Sequence, residues 1–472
     1  MTQGKGGLVT DSKRDCNSKW KRQGTVSGVG LTIAVALVGA LAIFTGPVAA
    51  QDTVATSAQV VAAPVLKVDT GDTAWVLTSS ALVLTMTMPG LALFYGGLVR
   101  SKNILGTIMQ SVVVLCLISL IWILVGYSLA FGPDKGGFIG GLEWVGLSGV
   151  GSEPHPIYGP TIPHQVFMLF QLMFAAITPA LITGAVAERM RFSALLVFAA
   201  LWSLFIYAPV AHWIWGGGWL GKMGALDFAG GAVVHISSGM SALVCAIVIG
   251  KRKGHGSDYM APHNLPFTLL GTGLLWFGWF GFNAGSALGA NGVAGGAFLA
   301  THASASTAAL VWMGVEWMHR GKPTVLGVAS GAVAGLATVT PASGFIGPFA
   351  AVVIGGFAGI LCYFAVVWKG RMGYDDSLDV VGIHGVGGVL GILATGLFAS
   401  KAINAAGADG LFFGNAGQLW IQSIMVGAVT LFSMIGTWII LKVVHAAVGL
   451  RISPEDESTG LDLSQHNERA YS

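Results

Sequence analysis

The sequence predicts an all-α polytopic membrane protein of eleven transmembrane helices, ten of them forming a five-plus-five inverted repeat. Three observations lead there. Charged residues make up only 10% of the 472 and apolar residues 54%, whereas a soluble domain carries about 25% charged residues. The apolar residues fall in about eleven blocks, each near the roughly 20 residues that cross a hydrocarbon core. Finally, an acid followed by a histidine and glycines occurs twice, as DFAGGAVVHISSG from Asp227 to Gly239 and DVVGIHGVGG from Asp379 to Gly388. Five being odd, two five-helix halves have opposite topology, and in such repeats the site lies at the interface between the halves.

The first 50 residues read as a cleaved signal peptide. Lys13, Arg14, Lys19, Lys21 and Arg22 form its basic region, Leu31 to Phe44 its apolar region, and Val48-Ala49-Ala50 the small-residue cleavage site. Residues 51–72 then form an exposed extracytoplasmic segment. Helix 1 spans about 73–98, with a kink expected at Pro89-Gly90, and helix 2 about 104–131. A Gly-rich loop runs to about 164. Helix 3 (about 165–187) carries Phe174 and Pro179, and helix 4 (about 193–211) leads into the aromatic loop HWIWGGGWL. Helix 5 opens at Asp227 and ends before Lys251. Helix 6 (about 266–288) contains WFGWFGFNAGS, and helix 7 closes at His319 and Arg320. Helices 8 and 9 occupy about 324–343 and 345–368, helix 10 opens at Asp379, and helix 11 covers about 419–447. The transmembrane domain thus runs to 450, and residues 451–472 form a polar cytoplasmic tail. Most of the 70 glycines suit close helix packing.

Charge sets the orientation. Arg100, Lys102, Arg189, Arg191, Lys251, Arg252, Lys253, Arg320, Lys322, Lys369, Arg371 and Arg451 fall on alternate loops or the tail, against Lys67, Lys135, Lys222 and Lys401 on the others. By the positive-inside rule the N-terminus is outside and the C-terminus cytoplasmic, in a cell inner (plasma) membrane. The net charge is +3 and, beyond the leader, no basic patch is concentrated outside the inter-helix loops, so no nucleic acid partner is indicated. The contacts are with membrane lipid. Cys116, Cys245 and Cys362 sit in apolar helices, and no structural disulfide is expected.

His235 follows Asp227 by eight residues, about 12 Å along a helix axis and near mid-depth of a bilayer. An ionisable group there is a functional-site hypothesis. Several uses fit two such histidines: a structural hydrogen bond across helices, axial ligation of haem, a metal path, or a pore whose neutral imidazoles exchange protons. A metal site would want more ligands than these two helices offer. Phe174, Trp215 and Phe282 could form a recruitment site and constriction for an ammonium-like cation, a cation over an aromatic face gaining about 0.5–2 kcal/mol. Ser286, one turn beyond Phe282, could accept one of its hydrogen bonds. Asp227 could equally be a helix cap. Few acids lie within the apolar blocks, which disfavours a hydrolytic enzyme.

Long motifs now make a resemblance specific. DFAGGAVVH with DVVGIHGVGG, together with MPGLALFYGGLVRSKN, ITPALITGAVAERMRF and WFGFNAGSA, resembles the ammonium transporter family (Amt/Mep/Rh) over about residues 73–450. The resemblance implies eleven helices around a central pore in each subunit, a homotrimer, and no cofactor or metal. It implies that His235 and His384 are the twin pore histidines and proton relay. Phe174 and Phe282 match the stacked phenylalanine gate. Trp215, Phe174 and Ser286 match the outer ammonium site, and Asp227 the acid that supports recruitment. Trp215 favours the Amt/Mep branch. The tail GLDLSQHNERAY resembles the cytoplasmic tail that couples subunits and meets PII-type signal proteins, with Asn467 where glycine is usual. The implied function is ammonium/ammonia transport for nitrogen uptake. The rivals are an ammonium sensor with little transport and, from redox chemistry, a b-type haem protein, which a Soret band would reveal.

Overall fold

The structure, a computed structural model, describes residues 66–471, so the expected signal peptide and most of the expected external segment 51–72 lie outside the described residues. Among the described residues, ten helices are long and apolar enough to cross a membrane: α1 Thr70–Leu98, α2 Ser101–Phe131, α3 His164–Val186, α4 Phe192–Met223, α5 Gly231–Ile249, α6 Leu265–Gly285, α7 Gly292–Arg320, α9 Pro348–Met372, α10 Val381–Phe398 and α11 Ala416–Val448. Between α7 and α9 lies a shorter apolar helix, α8 Val325–Val339. The chain is therefore a multi-pass membrane protein with the eleven helices expected.

Two boundaries moved. The apolar pattern stops helix 4 at about 211, but α4 continues past a break at Trp215–Gly218 as far as Met223. The α8–α9 junction is also wider than expected, because Thr340–Gly347 turn back before Pro348 starts α9. The predicted kink in α1 is present: Met88 leaves helical geometry (φ −139°, ψ 111°) just before Pro89, which has no N–H to continue the ladder. The loop after α2 is more than glycine-rich. It carries two antiparallel hairpins, β1 Asp134–Lys135 with β2 Ile139–Gly140, and β3 Pro154–His155 with β4 Gly159–Pro163.

Burial sorts the helices. Nearly every residue of α3 from Val166 to Val186 is buried, whereas α2, α7, α9 and α11 turn rows such as Leu120 and Leu124, Leu310, Phe357 and Leu361, and Ile435 and Trp438 outward. Such rows match hydrocarbon, in which apolar surface costs nothing to expose. Glycines on α6 bring its backbone against α1: a Cβ at Gly271, Gly278 or Gly281 would collide with Phe94, Met86 or Leu82 and Ser79. The same device joins α5 and α10. A Cβ at Gly239 would strike Gly385, and one at Gly388 would strike Ile236 and His235. Rising numbers on α5 meet falling numbers on α10, so the two helices cross antiparallel, as an inverted repeat requires. Each of these glycines stands four residues after a histidine, one turn along the same face.

On the face bearing the basic loops, buried charges tie four connections together. Glu188 accepts from Arg100 N at 2.7 Å and from the Arg100 and Arg252 guanidinium groups, while Arg252 also clasps Asp375. Burial works against ionisation of both acids, but the arginines prevail and hold both carboxyls below their usual range. Arg189, fully buried, donates to Asp375 O and Ser377 Oγ.

The tail packs on this face. Helices α12 Pro454–Thr459 and α13 Leu461–His466 are seated by Lys102 Nζ on Glu457 O and Ser458 O, by Leu461 N on Asn103 Oδ1, and by Gly106 N on Asp462 Oδ1. Asn467 ends α13 in the left-handed region (φ 55°, ψ 36°). Asparagine is among the few residues besides glycine to adopt it readily, so the departure noted in the sequence leaves the turn intact.

Candidate functional site

The N-terminus of α5 is built around Asp227. Expected to open the helix, it stands four residues before it, at 6% exposure. Its Oδ1 accepts from Gly230 N (2.8 Å) and Gly231 N (2.6 Å), its Oδ2 from Ala232 N (2.8 Å) and Val233 N (3.1 Å). Four N–H groups at a helix start have no partner within the helix, and this one carboxylate satisfies them. Gly230 makes the turn possible at φ 113°. The first turn of α5 is wide, His235 N bonding to Gly230 O five residues back, a geometry frequent at functional sites.

The second half repeats this plan, with one correction to the sequence reading. The acid equivalent to Asp227 is Asp376, not Asp379. Asp376 lies eight residues before His384, as Asp227 lies eight before His235. It is fully buried, its Oδ2 accepts from Val381 N at 2.8 Å, and burial pushes its carboxyl up to about 6. Asp379 instead occupies the position of Gly230, three residues on, with φ 65°, and its carboxylate pairs with Lys369. Equal spacing was the signal that identifies Asp376. The acid nearer His384 drew attention away from it.

The crossing of α5 and α10 brings His235 and His384 into contact. Their rings lie 5.1 Å apart at 21°, and Nδ1 faces Nδ1 at 3.1 Å. One proton lies between those nitrogens, so the ring that accepts at Nδ1 must carry its own proton on Nε2. Both histidines are buried, and His235 Nε2 has no partner among the described residues. Trp279 stacks on His235 at 5.6 Å.

Beyond His235, away from the basic loops, Phe282 of α6 and Phe174 of α3 stack with centroids 4.2 Å apart at 25°. Trp215 meets Phe174 edge-on at 5.9 Å, and its indole N–H donates to Asp227 O at 2.8 Å. Outside the phenylalanine pair is a cavity of about 290 Å³, lined by Phe174, Trp215 and Ser286 together with Tyr158 and Gln171. Ser286 Oγ donates to Phe282 O at 2.8 Å, leaving its lone pairs as acceptors. All the residues singled out in the sequence thus converge on one axis, except that the Asp227 carboxylate faces the helix start and not the cavity. Gln171 and Trp279 were missed, although each sits three residues before a selected phenylalanine on the same helix face. The Gln171 carbonyl oxygen is buried and without a partner among the described residues. On the other side of the histidines, a second cavity of about 160 Å³ is bounded by Arg252, Ser330, Ser377, Asp379 and Ile383.

The series is therefore an aromatic cavity, two stacked rings, two apposed imidazoles, and a smaller polar cavity at the basic face. Comparison with known proteins identifies the family. A family model for the Ammonium Transporter Family matches residues 74–471. An ammonium transporter of Bacillus subtilis is 53% identical over 402 residues, covering 85% of this chain and 98% of that protein. Among solved structures, Candida albicans Mep2 superposes with a TM-score of 0.79 at 37% identity, covering 86% of this chain and 91% of its own. A sensor Amt protein superposes at 0.76 and 30% identity, covering 84% and 98%. The chain belongs to the ammonium transporter family.

Proposed function

We propose that this protein carries ammonium across the membrane by recruiting the ion in the aromatic cavity, removing a proton near the phenylalanine pair, and passing ammonia between the two imidazoles. The apposition of His235 and His384 directly behind Phe174 and Phe282 carries this reading. An intact ammonium ion in a dry, narrow passage loses a hydration worth tens of kcal/mol by Born estimates, against about 0.5–2 kcal/mol returned by an aromatic face. Neutral ammonia avoids that cost and can hydrogen-bond imidazole nitrogen as donor or acceptor. The Nδ1 contact offers the released proton a path along the histidine pair. Trp215, Phe174 and Ser286 hold the cation. Asp227 supports them indirectly, since its carboxylate fixes the start of α5 and its carbonyl fixes the Trp215 indole.

The remaining assignments belong to the same reading. The face with the basic loops is cytoplasmic, in an inner (plasma) membrane. Residues 1–50 are a leader, 51–72 an external segment, 73–450 the transport domain and 451–472 a regulatory tail. The chain works as a homotrimer, with a PII-type signal protein as partner at the cytoplasmic face. Ammonium sensing with little transport is the alternative. Uptake of labelled methylammonium and current, recorded together in proteoliposomes, separate them: binding without uptake overturns transport.

Two variants test parts of this scheme. Trp215→Leu is expected to raise the concentration for half-maximal uptake by about 2- to 30-fold, the equivalent of one cation–π contact. An unchanged concentration dependence would reduce Trp215 to an interfacial anchor. Truncation after Arg451 removes a docked segment that follows the last membrane-spanning helix, so membrane insertion is expected to persist. The uptake rate should change by about fivefold, the low end of typical coupling between sites. Loss of the protein from the membrane would show that the tail is needed to fold.

A further inference from the structure

His212 lies on α4, one turn before Trp215, and has 0% exposure. Both its ring nitrogens meet acceptors. Nδ1 is 2.9 Å from Ala130 O at the end of α2, and Nε2 is 2.9 Å from Asp134 Oδ1 on β1. A carbonyl can only accept, so Nδ1 carries a proton. Asp134 is an acceptor as well, because Gly137 N donates to Oδ1 at 2.7 Å and Lys222 Nζ to Oδ2 at 2.6 Å. The Lys222 hydrogen bond first, then that from His212, hold the Asp134 carboxyl far below its usual range. With an acceptor on each side, both contacts are hydrogen bonds only when both ring nitrogens carry protons.

This buried ring sits at a junction. The His212 carbonyl accepts from Gly216 N and Gly218 N, which makes the turn that breaks α4 at Trp215. Tyr158, in the cavity wall opposite, donates its hydroxyl to Phe131 O and Gly216 O. Lys135, next to Asp134, is paired with Glu143 at 2.7 Å, and His155 stacks on Tyr158 at 4.7 Å. Among the described residues, His212 alone joins α2, β1 and α4 by hydrogen bonds from one side chain.

We propose that His212, as an imidazolium clamped between Ala130 O and Asp134, is a positioning residue for the recruitment cavity, holding Trp215 and the Tyr158 wall at the spacing that suits a small cation. This rests on the recruitment reading of that cavity. The role needs a ring with a donor on each side, and a neutral imidazole, with one N–H, satisfies only one of the two acceptors.

Two measurements test it. In liposomes containing the full protein with ¹⁵N-histidine and ¹³C-aspartate, solid-state NMR is expected to show a histidine with both ring nitrogens protonated, correlated to an aspartate carboxylate. That correlation should vanish in Asp134→Asn. A pyridine-type nitrogen on the ring facing Asp134 overturns the proposal, and this arm needs no variant of His212. In methylammonium uptake, His212→Gln is expected to raise the half-saturating concentration about fivefold, within the range of one cation–π contact, with the maximal rate held within about twofold. Trp215→Leu serves as the comparator. If it shifts half-saturation and His212→Gln does not, the positioning role falls and recruitment stands. If neither shifts it, the recruitment reading falls and takes this inference with it.

Discussion

In a host lacking its own potassium uptake, His235→Asp or His384→Glu is expected to support growth on low potassium where the parent protein does not. Potassium cannot shed a proton, so it enters the passage between Phe282 and Ile383 only with its charge. Two neutral imidazoles at 3.1 Å offer that charge no compensation, and the desolvation cost stands in full. A carboxylate at either position adds a fixed negative charge of the kind used in cation channels. At about 4 Å and an effective dielectric near 20, that charge contributes about 4 kcal/mol of attraction, enough to raise potassium passage at least about tenfold after its own burial is deducted. His235→Ala removes proton exchange without adding charge and is expected to lose coupled proton movement while gaining no potassium. If the carboxylate variants reach the membrane and pass no more potassium than the parent, the account of selectivity by neutral imidazoles is wrong.

Loss of the Asp227 carboxylate is expected to be the most damaging single change at the site. Asp227→Ala strips four buried N–H groups of their acceptor at once. A buried polar group left without a partner costs about 1–3 kcal/mol. Even partial rehydration of four such groups leaves several kcal/mol, a large share of the about 5–15 kcal/mol that separates folded from unfolded in most proteins. The start of α5 should loosen, and with it His235 and the Trp215 indole, which hangs on Asp227 O. Near-complete loss of uptake and a fall in detergent Tm are expected. Asp227→Glu keeps the charge and at least two of the four bonds, and should retain measurable uptake. Equal, mild effects of Ala and Glu in a thermal-shift and uptake comparison would sink this claim.

Much of the molecule was legible in one dimension. Apolar block length counts spans because each block must match the hydrocarbon thickness. Lysine and arginine on alternate loops mark one face as the basic one, which is the basis for expecting an orientation, because translocating them is unfavourable. The buried histidines stood out because an ionisable group is conspicuous among apolar neighbours. Long motifs supplied the family and so the candidates Phe174, Trp215, Phe282 and Ser286.

Other features were settled only by the tertiary structure. Which acid caps α10 depends on the path of the chain ahead of the helix. Asp379 is closer to His384 in sequence, but its left-handed backbone turns it toward Lys369 and leaves Asp376 facing the helix start. That Asp227 faces N–H groups instead of the cavity, and that His212 is enclosed by Ala130 and Asp134, follow from contacts between segments far apart in the chain. The stacking of Phe174 on Phe282 and the contact of the two imidazoles require the rotation and crossing of helices whose sequences are silent about each other. Those angles are fixed where Gly239 and Gly388 let the α5 and α10 backbones touch. Hydrophobic periodicity reports how each segment partitions between water and lipid. In lipid, where helix association is driven by packing and not by burial from water, it does not say which faces meet.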